Sequence, residues 1–142
     1  MTVASAAEAR ARAGEFTDTP ALLGAALQIR DASGVPTGWF VPVVDGARIK
    51  GFVELRPDLQ HRRTAGFGTP TCAAAWLDPD VVVHRARREA SPGEVLGEPY
   101  LSFDGTPDRL AWAVPVGGPR GPRVVWVAGE AAWSGPAATG LG

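Results

Sequence analysis

The sequence is poor in the residues that usually carry chemistry. It holds a single cysteine (Cys72), a single lysine (Lys50), a single tyrosine (Tyr100) and two histidines, His61 and His84. One cysteine excludes an intramolecular disulfide framework and a cysteine zinc site. The two histidines and scattered carboxylates show no HxxxH, HExxH or DxDxDG spacing, so no metal and no cofactor is expected. Glycine is plentiful, yet Gly66-Phe67-Gly68 and Gly117-Gly118-Pro119 lack the spacing and the lysine of a phosphate loop. No apolar run is long enough to span a membrane, and Met1–Glu8 has no basic n-region. The expectation is a cytoplasmic chain with no signal peptide and no membrane association. A formal net charge of −1 argues against nucleic acid as a partner held by bulk electrostatics.

What is present is repetition. Trp39-Phe40-Val41-Pro42-Val43 returns as Trp112-Ala113-Val114-Pro115-Val116, an offset of 73 in a chain of 142 residues. At that offset Leu23, Gly24, Asp31, Trp39, Val41, Pro42 and Val43 meet identical residues, seven matches in the window 23–43. Average composition gives roughly one or two. The chain therefore reads as two related halves, 1–70 and 71–142, within one compact domain. Hydrophobic residues make up 45%, enough for a core. Thirteen of the fourteen basic residues are arginine, which fits the coding bias of a GC-rich genome and carries no mechanism.

Residues 4–16 predict a first helix, with Glu8 and Arg12 at the favourable spacing and Ala6, Ala9, Ala13 and Phe16 on one face. Strands are predicted over Ala26–Arg30, Gly38–Val44 and Arg48–Leu55, separated by turns at Asp31-Ala32-Ser33-Gly34 and Asp45-Gly46. His61–Phe67 is a candidate fourth strand. Asp78-Pro79-Asp80 opens a second helix that runs to about Ala90. Strands follow over Tyr100–Phe103, Arg109–Val116 and Arg123–Ala128, with Asp104-Gly105-Thr106-Pro107 as the turn matching Asp31. A proline within a strand removes a ladder donor, which places Pro42 and Pro115 at edges or bulges. The tail after Trp133 is small and polar, and reads as partly disordered. The expected fold is α+β: two repeated halves, each a helix plus a three- to four-strand antiparallel meander.

Helix followed by strands carrying Leu110-Ala111-Trp112-Ala113-Val114 and Val124-Val125-Trp126-Val127-Ala128-Gly129 resembles the PepSY and cystatin-like propeptide and inhibitor domains. The resemblance covers residues 78–131 best and 4–55 less well. It implies a helix packed across an antiparallel sheet, a peptidase partner that is inhibited or chaperoned, and no catalytic residues. Members usually lie outside the cytoplasm, from which the lack of a signal peptide departs.

Cys72, His61 and His84 are the residues that suggest nucleophilic catalysis. Cys72 sits in the apolar stretch Thr71–Ala75 and reads first as a small buried hydrophobe. His84 reads as a helix-surface residue and His61 as the head of a basic run, so no catalytic residue is assigned. Asp31 and Asp104 recur as turn residues rather than as an acid pair. Arg62, Arg63, Arg85, Arg87 and Arg88 make a basic patch for an acidic peptide or phosphate if the fourth strand lies near the second helix, and otherwise a solvated surface. Trp39 and Trp112 read as core. Trp76, Trp126 and Trp133 are less constrained, and an exposed tryptophan is an enriched interface anchor.

The candidate binding set is therefore Trp76, Trp126, Trp133, Arg62, Arg63, Arg85 and Arg88. The expected function is non-catalytic: a binding or inhibitory module engaging a protein or peptide partner, by strand addition if the proline-bearing strands are edges. The alternative is a small-molecule binder or cyclase-like enzyme with an apolar cleft between the halves.

Overall fold

The computed structural model describes residues 4–106 and 109–136. Pro107 of the Asp104 turn and the tail beyond Pro136 lie outside the described residues. Contacts divide the chain into two compact units: Pro36–Ala73 with the chain up to Arg30, and Asp31–Val35 with the chain from Ala74 onward.

In the first unit, α1 covers Ala6–Ala13. Ser5 caps it in a reciprocal box, its Oγ accepting the Glu8 N–H at 3.1 Å while Glu8 accepts the Ser5 N–H at 3.1 Å. The helix is shorter than the 4–16 expected, because the chain tightens into a 3₁₀ turn at Gly14–Phe16. A second 3₁₀ turn, Pro20–Leu22, leads to β1 (Leu27–Arg30), β2 (Pro36–Asp45), β3 (Arg48–Leu55) and β4 (His61–Cys72). These pair as an antiparallel meander. Alternation along β2 sends Trp39, Val41 and Val43 to one face, where they pack with Val53, Leu55, Leu23, Ala26 and the small residues Ala9 and Ala13 of α1. Each such valine or leucine stabilises the fold by roughly 1.5–3 kcal/mol through burial. Phe40 stacks on Phe52 on the opposite face.

The second unit takes in the short helix α2 (Ala73–Leu77) from Ala74 on, followed by α3 over Pro79–Arg87. Asp78 caps α3 by accepting the Asp80 N–H at 2.9 Å. The strands are β5 (Val95–Leu96), β6 (Tyr100–Phe103), β7 (Leu110–Gly117), β8 (Arg123–Ala128) and β9 (Ala131–Pro136). Antiparallel pairing runs β6-β7-β8-β9, and β5 adds to β7 beyond the end of β6. Val82 and Ala86 are buried on α3, which packs on β7 and β8. The indole N–H of Trp112 donates to the Trp76 carbonyl at 2.8 Å. Ala111, Ala113, Val124 and Trp126 form a second cluster with half-buried Tyr100 and Trp133.

This corrects the expected fold class. The chain is mostly sheet, 46% strand against 22% helix, and it is not two repeated helix-plus-meander halves. The helices span only 8, 5 and 9 residues, while β2 reaches 10 and β4 reaches 12. The two units also differ in their parts: β4 is twice the length of β9, and α2 and β5 are elements that the sequence pattern did not foresee. The tail expected to be loose is strand as far as Pro136, because Gly129, at φ +59°, turns the chain back and sets Ala131 opposite Ala128. Pro42 and Pro115 are not at open edges either: they lie beyond the ends of the β1 and β6 ladders at Phe40 and Ala113, where the Gly24 and Gly97 N–H groups donate to their carbonyls. Among the described residues no helix is long and apolar enough to cross a membrane.

Close backbone approach explains two strand glycines. A Cβ at Gly51 would stand 2.5 Å from the Ala65 carbonyl oxygen, and one at Gly38 would stand 2.6 Å from that of Leu55. A Cβ at Gly68 would meet nothing within 4 Å. We expect Gly51→Ala to lower the urea midpoint by an amount corresponding to about 2 kcal/mol or more, and Gly68→Ala to leave it within about 0.5 kcal/mol. Equal midpoints for the two variants would contradict the packing described.

Candidate functional site

The two strand prolines are accommodated in the same way. In an antiparallel ladder a residue directs its N–H and its C=O toward the same neighbour. The Pro42 carbonyl accepts the Gly24 N–H at 2.8 Å, so the missing Pro42 donor also faces Gly24 and not β3. The Pro115 carbonyl accepts the Gly97 N–H at 2.8 Å in the same manner. A short extended strap thus crosses each proline: Leu23-Gly24, with Leu23 opposite Val43, and Leu96-Gly97, with Leu96 opposite Val116. A side chain at Gly24 would press on the Pro42 ring at 3.3 Å, and one at Gly97 would meet Pro115 Cβ at 3.5 Å.

The strap of the second unit is flanked by open hollows. One, of about 680 Å³, is lined by Val95, Leu96, Tyr100, Pro115, Val116 and Val124, with Arg123 as its charged member. The other, of about 570 Å³, is lined by Pro79, Asp80 and Val83 of α3 and by Leu96, Gly97, Glu98 and Pro99. Val95 stands 72% exposed at the first.

An ion pair anchors the strap to β8. The Glu94 side chain is 1% exposed and accepts Arg123 Nε at 2.9 Å and Nη2 at 2.7 Å. The same carboxylate accepts the Ser91 N–H at 2.6 Å, and Arg123 also donates to the Glu89 carbonyl at 2.7 Å. The hydrogen bonds from Arg123, then the one from Ser91, hold the Glu94 carboxyl at about 2 instead of 4.5, against an opposing push from burial. The pair also raises the Arg123 guanidinium.

Trp126 and Trp133 face one another across β8 and β9, but they are not exposed anchors. Trp126 is buried, and the Trp133 indole N–H donates to Asp104 Oδ2 at 2.7 Å with Arg109 lying over its ring. Trp76 is also buried. Arg62 and Arg63 both bind the buried Glu54 carboxylate, at 3.2 and 3.0 Å. Arg85 pairs with Glu130 at 2.5 Å, and exposed Arg88 ends α3. These arginines are thus divided between the two units, and three of them already hold a carboxylate.

Cys72 is exposed, contrary to its reading as a buried hydrophobe, because it closes β4 opposite Arg48. His61 lies at the other end of β4, opposite Leu55 and stacked on Phe16. The seven residue steps between Arg48 and Leu55 put Cys72 and His61 about 20 Å apart by strand rise, so they do not form a nucleophile–base pair.

Sequence reasoning missed Val95, Tyr100 and Val83. The available signal was a difference between positions 73 apart: Arg10 corresponds to Val83, two residues before the matching pairs Arg12/Arg85 and Ala13/Ala86. Compared with protein-family models, curated proteins and solved structures, the chain matches none.

Because the folded Glu94 carboxyl titrates lower than the unfolded one, its contribution to stability is present above about 4.5 and is lost as pH falls toward about 2. The denaturant midpoint of the wild type should therefore drop more between pH 5 and pH 3 than that of Glu94→Gln. Parallel pH profiles would contradict the anchoring role of this pair.

Proposed function

We propose that the chain is a non-catalytic binding module that engages a protein or peptide partner along the β5 strap of its second unit. The observation that carries this reading is an exposed apolar strand beside an open apolar groove. Val95 is 72% exposed on β5, and the neighbouring hollow is lined mainly by valine, leucine, proline and tyrosine. Leu96, in the non-hydrogen-bonded position opposite Val116, directs its own N–H and C=O away from β7. An extended segment placed there can accept the Leu96 N–H with a main-chain carbonyl and gains apolar contact from the groove, which is the logic of strand addition. Its site is β5, not the proline-bearing strands, which are flanked on both sides.

The tryptophans and arginines expected to form the surface support this reading less than the strap does. Their polar atoms are largely engaged within their own units. An inhibitory role toward a peptidase is the form that the PepSY and cystatin-like resemblance gives to the proposal. A small apolar ligand is the second reading, favoured by a groove volume within the range of roughly 300–1,000 Å³ typical of ligand pockets. The groove is open along the strap, which suits a chain segment better than an enclosed molecule.

Selection from a displayed random-peptide library should enrich sequences that bind the intact protein. Val95→Asp should weaken the enriched peptides at least tenfold, about 1.4 kcal/mol, and leave the thermal midpoint unchanged. No enrichment, or enriched peptides indifferent to Val95→Asp, would remove the strap as a partner site.

A further inference from the structure

Equivalent positions in the two units differ at one chemically important point. Ser5 and Asp78, 73 apart, both cap a helix; Ala9 and Val82, and Ala13 and Ala86, are each fully buried at the same offset. Arg10 of α1 therefore matches Val83 of α3, as Leu23 matches Leu96. In the first unit the outward carbonyl of the strap, Leu23 O, accepts two hydrogen bonds from the Arg10 guanidinium, from Nε at 3.0 Å and Nη2 at 2.8 Å. In the second unit valine replaces that arginine, and no donor to Leu96 O is present among the described residues.

The surroundings change with it. The space flanked by Ala7, Arg10 and Leu23 is about 210 Å³, whereas the space flanked by Asp80, Val83 and Leu96 is about 570 Å³. Ala7 is replaced by Asp80 at the same offset, and Glu98 joins it on the rim; both carboxylates are exposed and line the hollow. The α3 N-terminus directs its positive dipole end here, which opposes a cation, but Asp78 and Asp80 place two carboxylates on that first turn.

Building on the binding-module reading, we infer that the hollow between α3 and the Leu96-Gly97 strap receives an arginine side chain from the partner segment. Its guanidinium takes the place that Arg10 occupies in the first unit. The fork of Nε and Nη2 donors fits one outward carbonyl, and the remaining charge lies between Asp80 and Glu98. A lysine ammonium carries the charge without the fork. The partner is thus an extended segment with apolar residues for the β5 groove and an arginine for the hollow.

Other carboxylates among the described residues already have cationic or N–H partners. Glu54 is occupied by Arg62 and Arg63, and Asp104 by Trp133 and Arg109.

The test uses the full chain, labelled with ¹⁵N, and the capped peptide acetyl-Val-Arg-Val-amide, with its citrulline analogue as the uncharged isostere. Saturable amide shifts are expected at Asp80, Val83, Leu96, Gly97 and Glu98, with the citrulline peptide at least tenfold weaker. Val83→Arg should supply the guanidinium internally, raising the thermal midpoint and weakening the arginine peptide at least tenfold. Should that variant fail to fold, Glu98→Gln, at an exposed position, should weaken the arginine peptide several-fold at an unchanged midpoint. Equal binding of the arginine and citrulline peptides, shifts confined to other elements, or no saturable shift at millimolar peptide overturns the inference. Library peptides that lose binding with Val95→Asp yet lack arginine and ignore Val83→Arg overturn it as well, while leaving the binding-module reading standing. Failure of that reading is a different result: a library that yields no binder at all.

Discussion

A proline in an interior strand can accept a ladder hydrogen bond and cannot return one, and much of this architecture follows from where that half-bond is placed. Pro42 and Pro115 each turn the deficient side toward a glycine that contributes a single N–H. The ladder toward β3 or β8 therefore loses nothing, and the strand on the other side must give way to a strap. A side chain at Gly24 would crowd the Pro42 ring and Val44, whereas one at Gly97 would only reach ordinary contact with Pro115. The leucine before each glycine then sits in a non-hydrogen-bonded position, with its backbone polar groups turned outward. Those outward groups need partners, and the two units meet the need differently. In one, α1 provides Arg10; in the other, the edge stays open beside an apolar groove.

The same constraint bears on stability and on function at once. Anchoring the open strap falls to Glu94 and Arg123, a bidentate pair with two further backbone hydrogen bonds around it. Such a pair fixes geometry through its fork and leaves the strap's own backbone unoccupied. Under the proposed binding role, a strap anchored in this way would offer a prepared edge, so that little ordering would be required on this side when a segment docks.

Much of the strand map was legible in the sequence. Arg48–Leu55, Tyr100–Phe103 and Arg123–Ala128 are strands with the bounds that their alternation indicated. The balance of sheet and helix was not legible, because helix length was limited by local events such as the 3₁₀ turn at Gly14. The Leu-Gly and Pro identities at an offset of 73 were visible, but their reason was not. An edge was inferred from proline alone, whereas the half-bond to a distant glycine keeps proline tolerable in an interior strand. Burial of Cys72 was inferred from its apolar neighbours, and its place at the end of β4 exposes it. Tryptophan is a large residue suited to interfaces, yet Trp76 and Trp126 serve the core, and the groove is lined by commoner residues that carry no signal of their own.

Amide hydrogen exchange, resolved by residue, compares the two straps most directly. Slow exchange is predicted at Leu23, whose N–H donates to Pro20 O at 3.2 Å, and at Gly24 and Gly97, whose N–H groups donate to the strand prolines. Leu96 is predicted to exchange fast, its N–H being directed away from β7 with no acceptor among the described residues. Protection of Leu96 comparable to that of Leu23 would show that the second strap is already occupied by the chain itself, and would contradict its assignment as the edge that a partner takes.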